Sequence, residues 1–140
     1  EEDFYLTIQR GVMYKMKLDT NANRQAFQRM DPASCDSTKY MWMNPMEMDR
    51  NNDDIIYWAE GNKLWRNNDL SSIPYNSSHQ KSDLGWDMFS DTLSNPNMKI
   101  SVITTSLYPE NIVYFGEVVG GKMLKGGEPS FHVRDNGFNY

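Results

Sequence analysis

The residues whose types and spacing come closest to a chemical site are acidic and amide side chains between positions 49 and 60. Asp49, Asn51 and Asp53 alternate along a polar segment. Glu60 follows Asp49 by eleven positions, and this spacing imitates a calcium-binding loop. Such a loop needs glycine at its sixth position for a sharp turn, and Asp54 stands there instead. We therefore interpret the segment as a polar turn, with calcium bound by Asp49, Asn51 and Asp53 as the alternative and no other cofactor expected.

The other reactive residue types are isolated in the sequence. His79 and His132 have no cysteine or histidine at metal-binding spacing. Cys35 lies in a polar segment without a neighbouring base, and as the single cysteine it permits no internal disulfide. The carboxylates are not paired in an apolar setting that would raise the pKa of one of them for acid catalysis. The sequence therefore predicts no catalytic residue.

The tryptophans offer a second kind of chemistry, because an exposed indole can stack on a sugar ring. Four of them, at positions 42, 58, 65 and 86, fall in segments with strand character. Most strand tryptophans belong to the core, and this is the main expectation here. Trp58 and Trp65 are the candidates for glycan stacking if their strands lie at the rim of a sheet.

These residues must be positioned by a β-hairpin at residues 54–69. Residues 55–58 are β-branched and aromatic, as a half-buried strand prefers. Gly61 and Asn62 tolerate the positive φ of a two-residue turn. Residues 63–66 then alternate polar and apolar side chains, which predicts a strand with one solvated face.

The hairpin is repeated along the chain. Residues 111–117 match residues 54–60 at an offset of 57 positions, and residues 122–125 match residues 63–66. A shorter copy opens the chain, with strands predicted at residues 4–9 and 12–15. Further strands are expected at residues 25–30, 40–48, 85–89 and 99–107, whereas residues 70–84 form a long polar excursion. No helix of useful length is expected, so the sequence predicts an all-β array of hairpins.

Composition limits the function classes. The chain has 140 residues and a net charge of −5, whereas nucleic-acid-binding surfaces are usually basic. It has no run of about 18 apolar residues, so no membrane span is predicted. A nucleic-acid or membrane-spanning role is therefore not expected.

The repeat resembles that of sortilin-like and Asp-box (BNR-type) β-propellers of large secreted bacterial proteins. Those repeats open with a Val/Ile-Tyr-x-Gly strand and close with Ser/Asn-x-Asp-x-Gly-x-Thr-Trp. Residues 56–59 match the opening, and the closing box is matched by Asn67, Asp69, Gly85 and Trp86, with residues 70–84 inserted. The resemblance implies that Asp69 bonds backbone amides of its own turn and that Trp86 packs between sheets. It departs from the family at residues 117–127, where no Asp-box follows the third hairpin.

The resemblance also implies a propeller fragment, because closed propellers have about four to eight blades. Its expected parts are a partial blade at residues 1–35, a full blade at 40–92 and a partial blade at 97–140. The expected partners are the remaining blades of the same protein or assembly, together with a protein or a glycan. The implied function is non-catalytic binding or scaffolding, outside the cell or at its surface.

The alternative function is that of a propeller glycoside hydrolase of the sialidase or xyloglucanase type. A sialidase site needs clustered arginines with a tyrosine and a glutamate, and the other type needs two facing carboxylates. Neither arrangement can be assembled from this sequence, so a binding module is the preferred interpretation.

Overall fold

The computed structural model describes residues 2–89, 95–119 and 131–135, and over these residues the chain is all-β. Short 3-10 turns occur at Gln9–Gly11, Ser37–Lys39 and Leu70–Ser72, and the described ranges contain no α-helix. The ten strands of the described ranges are β1 (Glu2–Ile8), β2 (Val12–Leu18), β3 (Arg24–Arg29), β4 (Met46–Met48), β5 (Ile56–Glu60), β6 (Lys63–Asn67), β7 (Trp86–Met88), β8 (Met98–Thr105), β9 (Ile112–Val119) and β10 (Phe131–Asp135).

The strands form three antiparallel sheets in which neighbours in the chain are neighbours in the sheet. The first sheet has the order β1-β2-β3, the middle sheet β4-β5-β6-β7 and the third sheet β8-β9-β10. Each sheet lies within one of the three segments that the sequence predicts. The expected all-β class with antiparallel sheets is therefore confirmed.

The hairpin of β5 and β6 has the predicted two-residue turn. Glu60 pairs with Lys63, and Gly61 takes the positive φ of +57° that the turn requires. All five residues of β5 are buried, because both faces of this strand are covered by other sheets. A strand covered on both faces carries apolar side chains at successive positions, which explains its continuous β-branched and aromatic character.

The middle sheet lies between the other two sheets and shares one core with each. Ile56, Trp58, Trp65 and Trp86 face the first sheet, whereas Tyr57, Ala59 and Leu64 face the third. The first core is completed by Met13, Met30, Cys35, Tyr40, Leu70 and Ile73, and the second by Ile100, Ile103, Val113 and Phe115.

The turn of the first hairpin packs more closely against the rest of the chain than its sequence indicates. Arg10 and Gly11 both adopt positive φ in the turn between β1 and β2. A Cβ atom on Gly11 would collide with the ring of Tyr40, so only glycine fits. The turn therefore presses directly against the segment that leads into the middle sheet.

One strand prediction is wrong, and another cannot be compared with the described residues. The strand expected at residues 40–48 is reduced to β4, because Pro45 cannot donate to a ladder and Asn44 bonds the carbonyl of Ala59 through its side chain. The second strand of the third hairpin, expected at residues 122–125, lies outside the described ranges. Among the described strands, β9 pairs with β8 on one side and with β10 along Ile112–Gly116 on the other.

Residues 70–84 connect the first two sheets. Ser78 forms a parallel bridge with Gln28 and accepts a hydrogen bond from the amide of Arg29, so this segment covers the edge of β3. Asp83 accepts hydrogen bonds from the amide and hydroxyl of Ser34. The chain therefore leaves the middle sheet after β6, contacts the first sheet and returns to form β7. This path fixes the position of one sheet relative to the other.

Candidate functional site

Two of the three candidate calcium ligands, Asp49 and Asn51, form hydrogen bonds within the fold. One carboxylate oxygen of Asp49 accepts the amide of Asn51 at 2.8 Å, and the other accepts the hydroxyl of Tyr57 at 3.2 Å. The side chain of Asn51 donates to the carbonyl of Ser106, which ties this turn to the end of β8. Asp53 is exposed. No group of three His, Cys, Asp or Glu side chains converges on a common point within the described ranges.

Glu60, which supplied the calcium-like spacing, is fully buried on the opposite side of the hairpin. Its two carboxylate oxygens accept the amide of Asp36 at 3.0 Å and the indole N–H of Trp65 at 2.8 Å. Cys35 lies beside it, and burial raises the pKa of the Cys35 thiol far above its usual value. The thiol therefore stays protonated and unreactive at neutral pH, as expected for a structural cysteine.

In the predicted Asp-box, the amide-bonding role belongs to Asn67 rather than to Asp69. The side-chain oxygen of Asn67 accepts the amide of Asp69 at 3.0 Å, and its nitrogen donates to the carbonyl of Leu84. The Asp69 carboxylate accepts only a long hydrogen bond from the Ser71 hydroxyl within the described part of the chain. The expected role of Asp69 is therefore wrong. Gly85 is required here, since a Cβ atom would lie 2.6 Å from Oδ1 of Asn67.

Trp86 takes the position that was expected for it. Its ring is buried in the core between the first and middle sheets, and its indole N–H donates to the carbonyl of Met30 at 2.7 Å. The residue thus joins the start of β7 to the end of β3.

The glycan-stacking role of Trp58 and Trp65 is contradicted. Both rings are buried in the core between the first and middle sheets, where no sugar could reach them. The exposed tryptophan is Trp42, at 59% of its full accessible surface. It lies in the loop before β4, where sequence alternation predicted a strand and therefore a core position.

A buried charged cluster surrounds Asp31 and was not found from sequence. Asp31 is completely buried, and it accepts hydrogen bonds from Arg29 at 2.6 and 3.0 Å and from the amide of Met13 at 3.3 Å. Lys81 lies 3.8 Å away in an ion pair. Hydrogen bonds and two cations compensate the loss of hydration of this carboxylate. The only feature of the sequence that could have indicated this cluster is an aspartate between Met30 and Pro32, directly after a predicted strand.

A second charged cluster fixes the start of β1. The Asp3 carboxylate accepts the hydroxyl of Tyr75 at 2.6 Å and lies 3.3 Å from the ammonium group of Lys15. Burial opposes ionisation of Asp3, but the hydrogen bonds from Tyr75 and Lys15 outweigh it and lower the Asp3 pKa. Lys15 also donates to the carbonyl of Leu70 at 2.7 Å. These contacts hold β1 and β2 against the beginning of the 70–84 segment.

The face of the first sheet that points away from the middle sheet, here called its outer face, is apolar. Phe4, Leu6 and Ile8 alternate along β1 and are all exposed. His79, which the sequence left without a role, covers the neighbouring strands: its ring packs against those of Tyr14 and Phe27, and its Nδ1 lies 2.8 Å from the Tyr14 hydroxyl. The aromatic cluster covers the β2–β3 half of this face and leaves the β1 half open.

Exposed side chains gather where β1 ends. The amide of Arg10 donates to the carbonyl of Trp42 at 3.1 Å, which brings the loop before β4 against the first hairpin turn. Ile8, Trp42 and Met43 are exposed there, Met43 to 72%. We call Ile8, Arg10, Trp42 and Met43 the Trp42 patch. Among the described residues it combines an exposed indole, two further apolar side chains and a cation.

Comparison of the chain with models of known protein families, with curated proteins and with solved structures finds no match. Within the described ranges, no helix has the length and apolar character needed to cross a membrane.

Proposed function

We propose that the three sheets are successive blades of an Asp-box-type β-propeller, completed by further blades of the same protein or assembly. The middle sheet supports this proposal, because propeller blades are four-stranded antiparallel sheets packed face to face around an axis. Its strands follow the order β4-β5-β6-β7, and it buries one face against each neighbouring sheet. The open apolar face of β1 fits a further sheet packed in the same manner.

The proposed role is non-catalytic binding of a protein or a glycan, and the observation that carries it is the Trp42 patch. Tryptophan, arginine and methionine are enriched at protein interfaces, and exposed tryptophan also stacks on sugars. Three of the four tryptophans are buried, whereas Trp42 points away from both cores. Since the repeat resembles those of secreted bacterial proteins, an extracellular or cell-surface location is part of the proposal.

The glycoside hydrolase alternative has no supporting observation in the described residues. The buried carboxylates Asp31, Asp49 and Glu60 each accept hydrogen bonds from backbone amides and from neighbouring side chains. Asp31 and Glu60 both lie near Tyr40 and Cys35 in the first core, whereas Asp49 bonds Tyr57 of the second core, so Asp49 lies on the other side of the middle sheet. A pair of facing carboxylates would be required for glycoside hydrolysis.

Tryptophan fluorescence tests the binding role, because Trp42 is the indole that solvent and ligands can reach. We expect a saturable change in emission when a cognate oligosaccharide or peptide is titrated into the protein. The change should be lost in Trp42→Phe, whose fold should be intact because position 42 lies outside both cores. Met88→Ser, at an exposed apolar residue of β7, is the matched control and should bind normally.

Two results would contradict the proposal. Saturable binding that is unchanged in Trp42→Phe would locate the binding surface elsewhere. Hydrolysis of a sialoside or of xyloglucan by the chain itself would replace the binding role with the enzyme role.

A further inference from the structure

The inference concerns the loop that carries Trp42 and Met43. Three hydrogen bonds anchor this loop on both sides of the pair. The carbonyl of Trp42 accepts the amide of Arg10 at 3.1 Å, and the side chain of Asn44 donates to a carbonyl of β5 at 2.6 Å. The same Asn44 side chain accepts the amide of Met41 at 3.0 Å. The fold therefore fixes the backbone from which the two side chains project.

The exposure of this pair contrasts with its surroundings in the loop. Tyr40 and Asn44, which flank the segment, are buried, whereas Trp42 and Met43 are both exposed. Apolar side chains that are held in water forgo the stabilisation that burial would give them. Tryptophan and methionine are enriched where one protein surface contacts another. The pair therefore favours a partner that covers it with an apolar side chain.

Cations surround the exposed pair, because the loop contacts two hairpin turns. It meets the turn between β1 and β2 at Arg10, and it meets the turn between β5 and β6 where Lys39 packs against Gly61. Lys63 follows this second turn directly. Arg10 and Lys39 are exposed, and Lys63 is half-buried. None of these three cations forms an ion pair with a carboxylate of the described ranges.

The carboxylates of Asp36 and Glu60, on this side of the fold, are engaged by other groups. One oxygen of Asp36 accepts the amide and the hydroxyl of Thr38 at 3.0 and 2.7 Å. These hydrogen bonds, and then the charges of Lys39 and Lys63, lower the pKa of Asp36. Glu60 is buried and already accepts two hydrogen bonds. The accessible charges around the loop are therefore three cations and one carboxylate.

Several acidic residues of the same two sheets lie at the other ends of their strands. Asp3 is at the start of β1, Asp53 precedes β5 and Asp69 follows β6. β1 and β5 both end at the turns that the loop contacts, so these carboxylates are a strand length away from Trp42. The chain has a net charge of −5, yet cations predominate around Trp42. Such a separation of charge directs an anionic partner to one end of a protein.

We propose that the Trp42 patch binds an acidic peptide segment of a partner protein. An apolar side chain of the segment covers Trp42 and Met43. Its flanking carboxylates pair with Arg10, Lys39 and Lys63. The inference rests on the proposed binding function and names the chemistry of the partner. A peptide fits better than a glycan, because a sugar ring stacks on the indole alone and the thioether of Met43 offers sugar hydroxyls only a weak acceptor.

An array of short random peptides tests the inference. We expect the labelled protein to bind peptides in which Asp and Glu flank an aliphatic or aromatic residue, and to bind them less tightly as the salt concentration rises. With a peptide selected in this way, fluorescence anisotropy should show no binding to Trp42→Ser. Lys39→Glu should weaken binding about tenfold, whereas Lys39→Arg should retain it. Arg50→Glu is the matched control, because Arg50 is an exposed cation in the turn before β5, and it should bind normally.

The outcomes separate this inference from the proposed function. Selected peptides without acidic residues, or equal affinity in Lys39→Glu and in the unmodified protein, would show that the inference is wrong. An oligosaccharide that changes Trp42 emission, where no acidic peptide does so, would keep the binding role and reject the peptide. If the binding of neither peptides nor oligosaccharides depends on Trp42, the inference and the proposed function both fail.

Discussion

At the scale of single residues, identical side-chain types have opposite roles that only their surroundings distinguish. Trp65 and Trp42 differ most clearly. Trp65 is buried in the core and donates to Glu60, whereas Trp42 is exposed at the end of the first hairpin.

Trp65→Ala should destabilise the protein by about 3–5 kcal/mol, because it leaves a large cavity and removes a donor from a buried carboxylate. Urea unfolding followed by circular dichroism measures the change. Trp42→Ala is the matched control and should change the free energy of unfolding by less than about 0.5 kcal/mol. Similar losses in the two variants would mean that Trp42 is also part of a core.

Asp31→Ala should lower the free energy of unfolding by about 3–5 kcal/mol, because it leaves Arg29 and Lys81 without their buried counter-ion. Asp87 provides the control, since it is an exposed aspartate on β7, and Asp87→Ala should be nearly neutral. Thermal unfolding of both variants at neutral pH measures the difference. Equal melting temperatures would show that the Asp31 cluster adds nothing to stability.

The raised pKa of Tyr5 predicts that the protein loses stability at alkaline pH. Burial, reinforced by the nearby carboxylates of Asp3 and Asp54, raises the pKa of Tyr5 to about 12. The folded state therefore holds this proton more tightly than the unfolded state does. Its contribution is complete below the unfolded pKa of about 10 and is lost as pH rises towards 12.

Unfolding midpoints at pH 9 and pH 11.5 should show this loss, and Tyr5→Phe should reduce it. Tyr108→Phe removes a phenol that is 90% exposed and should leave the loss unchanged. A steeper loss in Tyr5→Phe than in the unmodified protein would contradict the assignment.

At the scale of elements, turns and their contacts decide where strands begin and end. The hairpin of β5 and β6 is predictable from sequence because its strand residues, turn residues and alternation all indicate the same structure. The loop before β4 could not be predicted from sequence, because Tyr40, Trp42 and Met46 occupy alternate positions, as they would in a strand. Its conformation is set instead by contacts with the first hairpin and by the side chain of Asn44.

The candidate site was predictable only in part, for the same reason. Asn67 and Asp69 can both close an Asx turn, and the choice between them depends on the register of β6 and β7. The partners of Asp31 come from distant parts of the chain, which no local pattern brings together. The repeat predicted the hairpins of the first two sheets, whereas the burial of individual side chains required knowledge of which sheets touch.

Gly85→Ala should destabilise the protein by about 1–3 kcal/mol, because a methyl group would collide with the side chain of Asn67 at a position with φ of +75°. Asn67→Ala in the same background should make the glycine substitution less costly by removing the collision. A double-mutant cycle in urea measures this coupling. Strictly additive effects would show that the two side chains do not interact.

At the scale of the whole molecule, the middle sheet carries the stability of the three-sheet array. It contributes to both cores, and β5 is its most buried strand. Amide hydrogen exchange should therefore be slowest along Ile56–Glu60 and faster along β1, whose outer edge is open. Mass spectrometry of exchanged peptides measures both rates in one sample. Exchange in β5 as fast as in β1 would contradict this hierarchy.

The path of residues 70–84 also determines the order in which the protein can fold as it is synthesised. The chain leaves the ribosome from its N-terminus, so Met30 emerges 56 residues before Trp86, the partner of its carbonyl. The β3 edge of the first sheet likewise waits for Ser78, and the middle sheet waits for β7. During synthesis the β3 edge therefore stays uncovered until residue 78 has emerged, and the middle sheet lacks β7 until residue 88 has emerged. Unpaired strand edges of this kind make an incompletely folded chain prone to aggregation.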